Sequence, residues 1–221
     1  MFPLYDSSDK DTFPLVNYAI IILNVFVFYV QLSSPNFERF IYQYGFIPQR
    51  FNPFFLESYG FIVTSMFMHG GFWHIISNLW FLHIFGDNVE DRMGHVGYAF
   101  FYILAGIVAT FTQYIFMMGS SIPLVGASGA ISGVAGAYFL LFRNSKVKSL
   151  VFAGYYVTTA NLPVWLFLGY WFTIQLLSGF ATFDPNAQSG VAWFAHIGGF
   201  IFGLFIALFL RKDRRSHDII T

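Results

Sequence analysis

With 221 residues, 57% of them hydrophobic, 10% charged and 22% aromatic, the chain lies outside the composition of a soluble domain and within that of a membrane protein. Its length accommodates about six apolar spans of roughly 20 residues with short connections, leaving no room for a second soluble domain. A formal net charge of zero gives no footprint for nucleic acid, and the lack of cysteine excludes disulfides, thiolate metal sites and a cysteine nucleophile.

Residues 1–14 are polar, with Asp9, Lys10 and Asp11, and read as a short N-terminal tail. A first span is predicted over 15–32; it is too long for a signal-peptide core and ends without a small-residue cleavage site, so it reads as retained. The connection 33–68 mixes Glu38, Arg39, Arg50 and Glu57 with aromatics around Pro53, which suits a structured loop in the membrane interface. A second span covers 72–85 and stops at a charged turn over 87–92, and a third covers 96–117. A fourth, shorter apolar stretch runs over 127–142 and ends at Arg143, Lys146 and Lys148. Residues 150–159 read as interfacial, a fifth span covers 162–177, and a sixth covers 191–210, closed by Arg211, Lys212, Arg214 and Arg215. The expected fold is an all-α polytopic membrane protein, with a cytoplasmic tail over 1–14, a six-span domain over 15–210 and a basic cytoplasmic tail over 211–221.

Six spans place both termini on one side. A cytoplasmic N-terminus puts Lys10, Arg92, Arg143, Lys146, Lys148 and the four basic residues after 210 inside, and leaves only Arg39 and Arg50 outside. That distribution satisfies the positive-inside rule, and the reverse orientation violates it. The second, fourth and sixth spans then run inward, so His74, Ser128 and His196 share a depth near the external face. From Phe142 back to Ser128 there is only about 21 Å of helix at ~1.5 Å per residue, against a hydrocarbon core of roughly 30 Å. The loop before Ser128 must therefore dip into the membrane. Irregular backbone at that depth is tolerated only where it is buried in protein or lines a wet cavity, so a water-filled pocket above Ser128 is predicted.

Ionisable groups are costly in a span, which makes His196 a candidate for function. Gly126-Ala127-Ser128-Gly129 sets a serine at a helix N-terminus, where free backbone N–H groups and the positive end of the dipole favour an oxyanion. His74 and Asn78, four apart, share one helix face and offer further donors or, read more plainly, polar glue between helices. Small-residue stripes, Ser128, Ser132, Ala135 and Gly136 on one side and His196, Gly199 and Gly203 on the other, permit close approach of the two helices. No Asp or Glu falls within a predicted span, so a Ser-His dyad is the serine-hydrolase arrangement available, with nothing evident to orient the base.

These residues resemble the rhomboid family of intramembrane serine proteases, over nearly the whole chain from 13 to 210. The matching elements are the GxSG motif at 126–129, Ala195-His196 with Gly199 and Gly203, and His74 with Asn78 for an HxxxN motif. His69 falls where the family often has a histidine, and Glu90-Asp91-Arg92 resembles its structural acidic-basic turn. Where some relatives have a tyrosine stacked near the base, this chain has Ser132. The resemblance implies a six-helix rhomboid-like bundle that cleaves transmembrane protein substrates within the lipid bilayer. It implies Ser128 as nucleophile, His196 as base, and His74, Asn78 and the Ser128 N–H around the oxyanion, with no metal or organic cofactor. The location it suggests is a prokaryotic cytoplasmic (inner) membrane, and the loop 178–189, with Gly179 and Pro185, is the expected route of access.

Two other readings compete. A catalytically inactive rhomboid-like protein binding client helices typically lacks the serine or the histidine, and this chain has both. A small transporter needs internal repeats or a polar path on both sides, and neither is visible. Plainer roles are expected for the remaining histidines: packing for His83, solvation for His95 and His217, and a loop or supporting position for His69.

Overall fold

The computed structural model describes residues 1–8, 10–154, 156–183 and 190–217. Among them are helices α1 (Leu15–Ser33), α2 (Phe37–Tyr44), α3 (Leu56–Ser65), α4 (Phe72–Met93), α5 (His95–Phe116), α6 (Ser128–Leu141), α7 (Val164–Ala181) and α8 (Trp193–His217). Strands β1 (Phe2–Asp6), β2 (Lys146–Ala153) and β3 (Tyr156–Pro163) form an antiparallel sheet in the order β1-β2-β3. Of the loop 178–189, residues 184–189, with Pro185, lie outside the described residues, as do residues 218–221 and the side chain of His217.

Among the described residues four helices are long and apolar enough to cross a membrane: α1, α5, α7 and the Trp193–Leu210 part of α8. Their outward faces carry large apolar side chains such as Ile22, Phe26 and Leu208, all exposed. That surface suits lipid, where association depends on close packing and not on apolar burial. The apolar helix α6 is shorter, at 14 residues, and lies innermost: every residue from Gly129 to Tyr138 is buried. Its small side chains let α8 come to backbone contact, since a Cβ on Gly199 or Gly203 would collide with the carbonyl oxygens of Gly129 or Gly133. The α6–α8 crossing, which carries Ser128 and His196, is thus fixed by residues without side chains.

The connection 33–68 is structured, as expected, with α2, a 3-10 turn at Pro48–Arg50 and α3. Two expectations are corrected. The residues read as a charged turn over 87–92 belong to α4, which continues to Met93. Partners make this possible. Glu90, fully buried, accepts the backbone N–H groups of Val16 and Asn17 at 2.9 and 2.7 Å, and so caps α1, whose N-cap Pro14 has no side-chain acceptor. Asp87 pairs with Lys10 at 2.6 Å, and Asp91 accepts from the N–H and hydroxyl of Thr12.

The chain is also not all-α. Residues 1–14 and 150–159 include the strands of the sheet, with Phe2 opposite Leu150 and Lys146 opposite Pro163. In β2 the buried face is Val147 and Ser149, and a serine on that face hides the period of two. β1 is held by the Trp80 indole N–H on the Pro3 carbonyl at 2.7 Å and by Asp6, which accepts from Asn88 and Tyr138. α8 continues as helix to His217.

The first span is more polar inside than its composition suggests. Asn17, Asn24 and Gln31, seven apart, are all fully buried. Asn17 accepts from the Tyr98 hydroxyl at 2.8 Å, and Gln31 exchanges two hydrogen bonds with the backbone of His69. An amide buried in an apolar interior is tolerated when it is bonded in this way.

Candidate active site

Ser128 is the first residue of α6, so its N–H and those of Gly129 and Ala130 precede the first helical hydrogen bond, from the Ile131 N–H to the Ala127 carbonyl. The loop before it is held by a bridge between Leu124 and Phe46 and by the Gly126 N–H on the Ser65 carbonyl at 2.9 Å. Gly126 has φ +128°, and a Cβ there would lie 2.7 Å from Cε1 and Nε2 of His74. Glycine therefore lets the loop pass directly under the imidazole.

His196 stands in the first turn of α8, with Nε2 2.8 Å from Ser128 Oγ. Its Nδ1 lies 2.8 Å from Oε1 of Gln175 on α7, a buried residue. The Gln175 amide Nε2 in turn donates to the Trp171 carbonyl at 3.3 Å. The rings of Trp171 and Trp193 flank the imidazole, each with its centroid 6.1 Å away. From α5, Gln113 accepts the Ala195 N–H at 3.0 Å and so holds the turn that carries His196.

His74 accepts the Gly70 N–H on Nδ1 at 3.3 Å, which leaves the proton on Nε2, the atom beside Gly126. One turn further along α4, the Asn78 Nδ2 is buried with no hydrogen-bond partner among the described residues. A buried amide donor left unpaired costs about 1–3 kcal/mol, so its persistence calls for a use. A cavity of about 690 Å³ opens over these groups, lined among others by His74, Asn78, Ser128 and His196. A second, of about 200 Å³, reaches the same three residues Asn78, Ser128 and His196 from the side of Phe81, Ile131 and Trp171.

The structure thus brings Ser128, His196, His74 and Asn78 to one cavity. Ser132 plays no part with His196; its hydroxyl donates to the Ser128 carbonyl at 2.7 Å. His69 is buried behind His74, their rings 5.1 Å apart. His83 is exposed beside Tyr18, and His95, read as merely solvated, bonds Glu90 at 2.5 Å. Gln175, Gln113 and Trp171 escape the sequence reading. The signal was present, since Gln175 and Gln113 are amides inside apolar spans, and the weight given to an intramembrane histidine applies to them in milder form.

Fold and site together define an integral membrane protein of packed helices with a serine and histidine hydrogen-bonded in its interior. The Rhomboid domain family model matches residues 57–213, and the chain belongs to the rhomboid family. It is 25% identical over 232 residues to RHOMBOID-like protein 6, mitochondrial, of Arabidopsis thaliana, covering 90% of this chain and 69% of that one. It is 26% identical to the presenilin-associated rhomboid-like protein, mitochondrial, of Bos taurus, over 91% of this chain and 48% of that one. It is also 30% identical to inactive RHOMBOID-like protein 8 of Arabidopsis thaliana, over 63% of this chain and 35% of that one. The chain thus spans about half or less of the length of the latter two. The two mitochondrial names weigh against the prokaryotic membrane expected from the sequence.

Proposed function

We propose that this protein is an intramembrane serine endopeptidase that hydrolyses peptide bonds in or near the membrane-spanning segments of other membrane proteins. The observation that carries the reading is the 2.8 Å bond between His196 Nε2 and Ser128 Oγ beneath an open cavity. Ser128 Oγ attacks the scissile carbonyl carbon while its proton passes to His196 Nε2. The tetrahedral oxyanion takes hydrogen bonds from the Ser128 N–H, Asn78 Nδ2 and His74 Nε2. As the C–N bond breaks, His196 returns the proton to the leaving amine. Water entering the cavity then attacks the acyl-enzyme, giving up a proton to His196, and Ser128 is released with that proton.

In this reading α4 and the short α6 complete six spans, with both termini on the cytoplasmic, Lys- and Arg-rich side. The site then faces the opposite side, where the cavity admits water. Substrate is the transmembrane helix of a second protein, and lipid is the solvent of the outer helix faces.

The test is cleavage of a single-span model substrate by the purified protein in detergent, with Ser128→Ala in parallel. Cleavage that vanishes in Ser128→Ala supports the protease. A folded protein that cleaves nothing, and binds the substrate helix equally well with Ser128 or Ala, favours an inactive client-binding protein, a reading kept open by the similarity to a relative named inactive.

A further inference from the structure

His196 Nδ1 faces an amide where a serine-protease triad has a carboxylate. We propose that Gln175 is the positioning residue for His196, an uncharged substitute for the triad carboxylate that decides which ring nitrogen carries the proton. The proposal rests on the reading of Ser128 and His196 as nucleophile and base.

The two ends of the Gln175 amide are not interchangeable. Its Nε2 can only donate, and it meets the Trp171 carbonyl, which can only accept, at 3.3 Å. A flipped amide would set two oxygens against each other there. Oε1 is therefore the atom that faces Nδ1 at 2.8 Å, and an oxygen acceptor requires the proton on Nδ1. The lone pair then sits on Nε2, 2.8 Å from Ser128 Oγ, ready to take the serine proton. In other serine proteases an amide in place of the triad aspartate costs about 10⁴ in kcat by imposing the wrong tautomer. Here the backbone of α7 fixes the amide the right way round.

Depth explains the choice of an amide. Gln175 is 5% exposed on an apolar helix, where an ionised carboxylate carries a desolvation cost that its attraction for the base does not reliably offset. The amide gives up stabilisation of the imidazolium and keeps its directional role. Gln113, holding the Ala195 N–H from the other side, fixes the turn while Gln175 fixes the ring.

The test compares Gln175→Leu, which removes the acceptor, with Gln175→Glu, which keeps its size. Two readouts are taken: the His196 tautomer by 15N NMR of histidine-labelled protein, and the pH profile of kcat/KM on the single-span substrate. Gln175→Leu is expected to show mixed tautomers and to lose about 10- to 100-fold in kcat at nearly unchanged KM. Gln175→Glu, which sets a carboxyl oxygen in the place of Oε1, is expected to keep Nδ1–H. Wild-type kcat, pH profile and tautomer in Gln175→Leu would overturn the proposal, and so would a majority of Nε2–H in the wild-type protein should the leucine variant not fold. If wild type neither cleaves substrate nor reacts with a serine-directed probe, the protease reading fails by itself. The tautomer comparison still decides the role of Gln175.

Discussion

Both ends of α4 carry buried polar side chains, carboxylates with partners at the C-terminal end and, among the described residues, an amide donor with none at the N-terminal end. At the C-terminal end Asp87 has Lys10, Glu90 has two α1 N–H groups and His95, and Asp91 has Thr12. At the N-terminal end Asn78 Nδ2 has no partner, and His74 holds an Nε2–H toward the cavity. A buried network whose charges are all met supports architecture. Unmet donors beside a cavity are available to a ligand that arrives later, in the proposed reaction a developing oxyanion. Burial of polar groups in a membrane protein is therefore ambiguous until their partners are counted.

Substitutions sharpen that contrast. Ser128→Ala and His196→Ala are expected to abolish cleavage and leave the helical fold intact, as circular dichroism and thermal melting in detergent would show. At the paired end the order reverses. Glu90→Ala strips the cap of α1 and is expected to cost about 1–3 kcal/mol of stability, the penalty for a buried N–H left unpaired, with the cleavage rate of the surviving folded fraction unchanged. Asn78→Ala is expected to lower kcat by about 10- to 1,000-fold, the range for one oxyanion donor, with no loss of melting temperature. Full activity in that variant would place Asn78 with the structural groups. Lys10→Ala breaks a half-exposed pair and is expected to cost at most about 1 kcal/mol, less at high salt.

The smallest effect is one of pH. Burial pushes the Asp6 carboxyl above its ordinary value of 3.8, against the opposing hydrogen bond from Tyr138. The folded protein thus binds that proton more tightly than the unfolded chain. The stability it contributes is complete below 3.8 and is lost as pH rises through the raised value. Asp6→Asn should flatten this segment of the stability curve, measured as melting temperature against pH.

Much of the site was legible because it rests on residues that are costly where they stand. A histidine in an apolar helix and a serine at the start of a short one announce themselves, and the structure brings the two to 2.8 Å. The role of Gln175 was not legible, because an amide in a span has many uses and only the neighbouring helix shows which. In the fold, the span positions followed apolarity, while the end of α4 did not. Asp87, Glu90 and Asp91 look like a solvated turn until the N-terminus of α1 and the 1–14 segment are brought against them. The sheet was hidden for a related reason: β2 finds its partner β1 more than 140 residues away along the chain, where no local period reveals it.

In the proposed mechanism His196 activates Ser128. Reaction of the purified protein with a fluorophosphonate probe, followed by peptide mass analysis, tests it most directly. One adduct is expected, on Ser128 in the wild-type protein, and none in His196→Ala over the same time. Equal labelling of Ser128 in His196→Ala, or none in a folded wild-type protein, would contradict it.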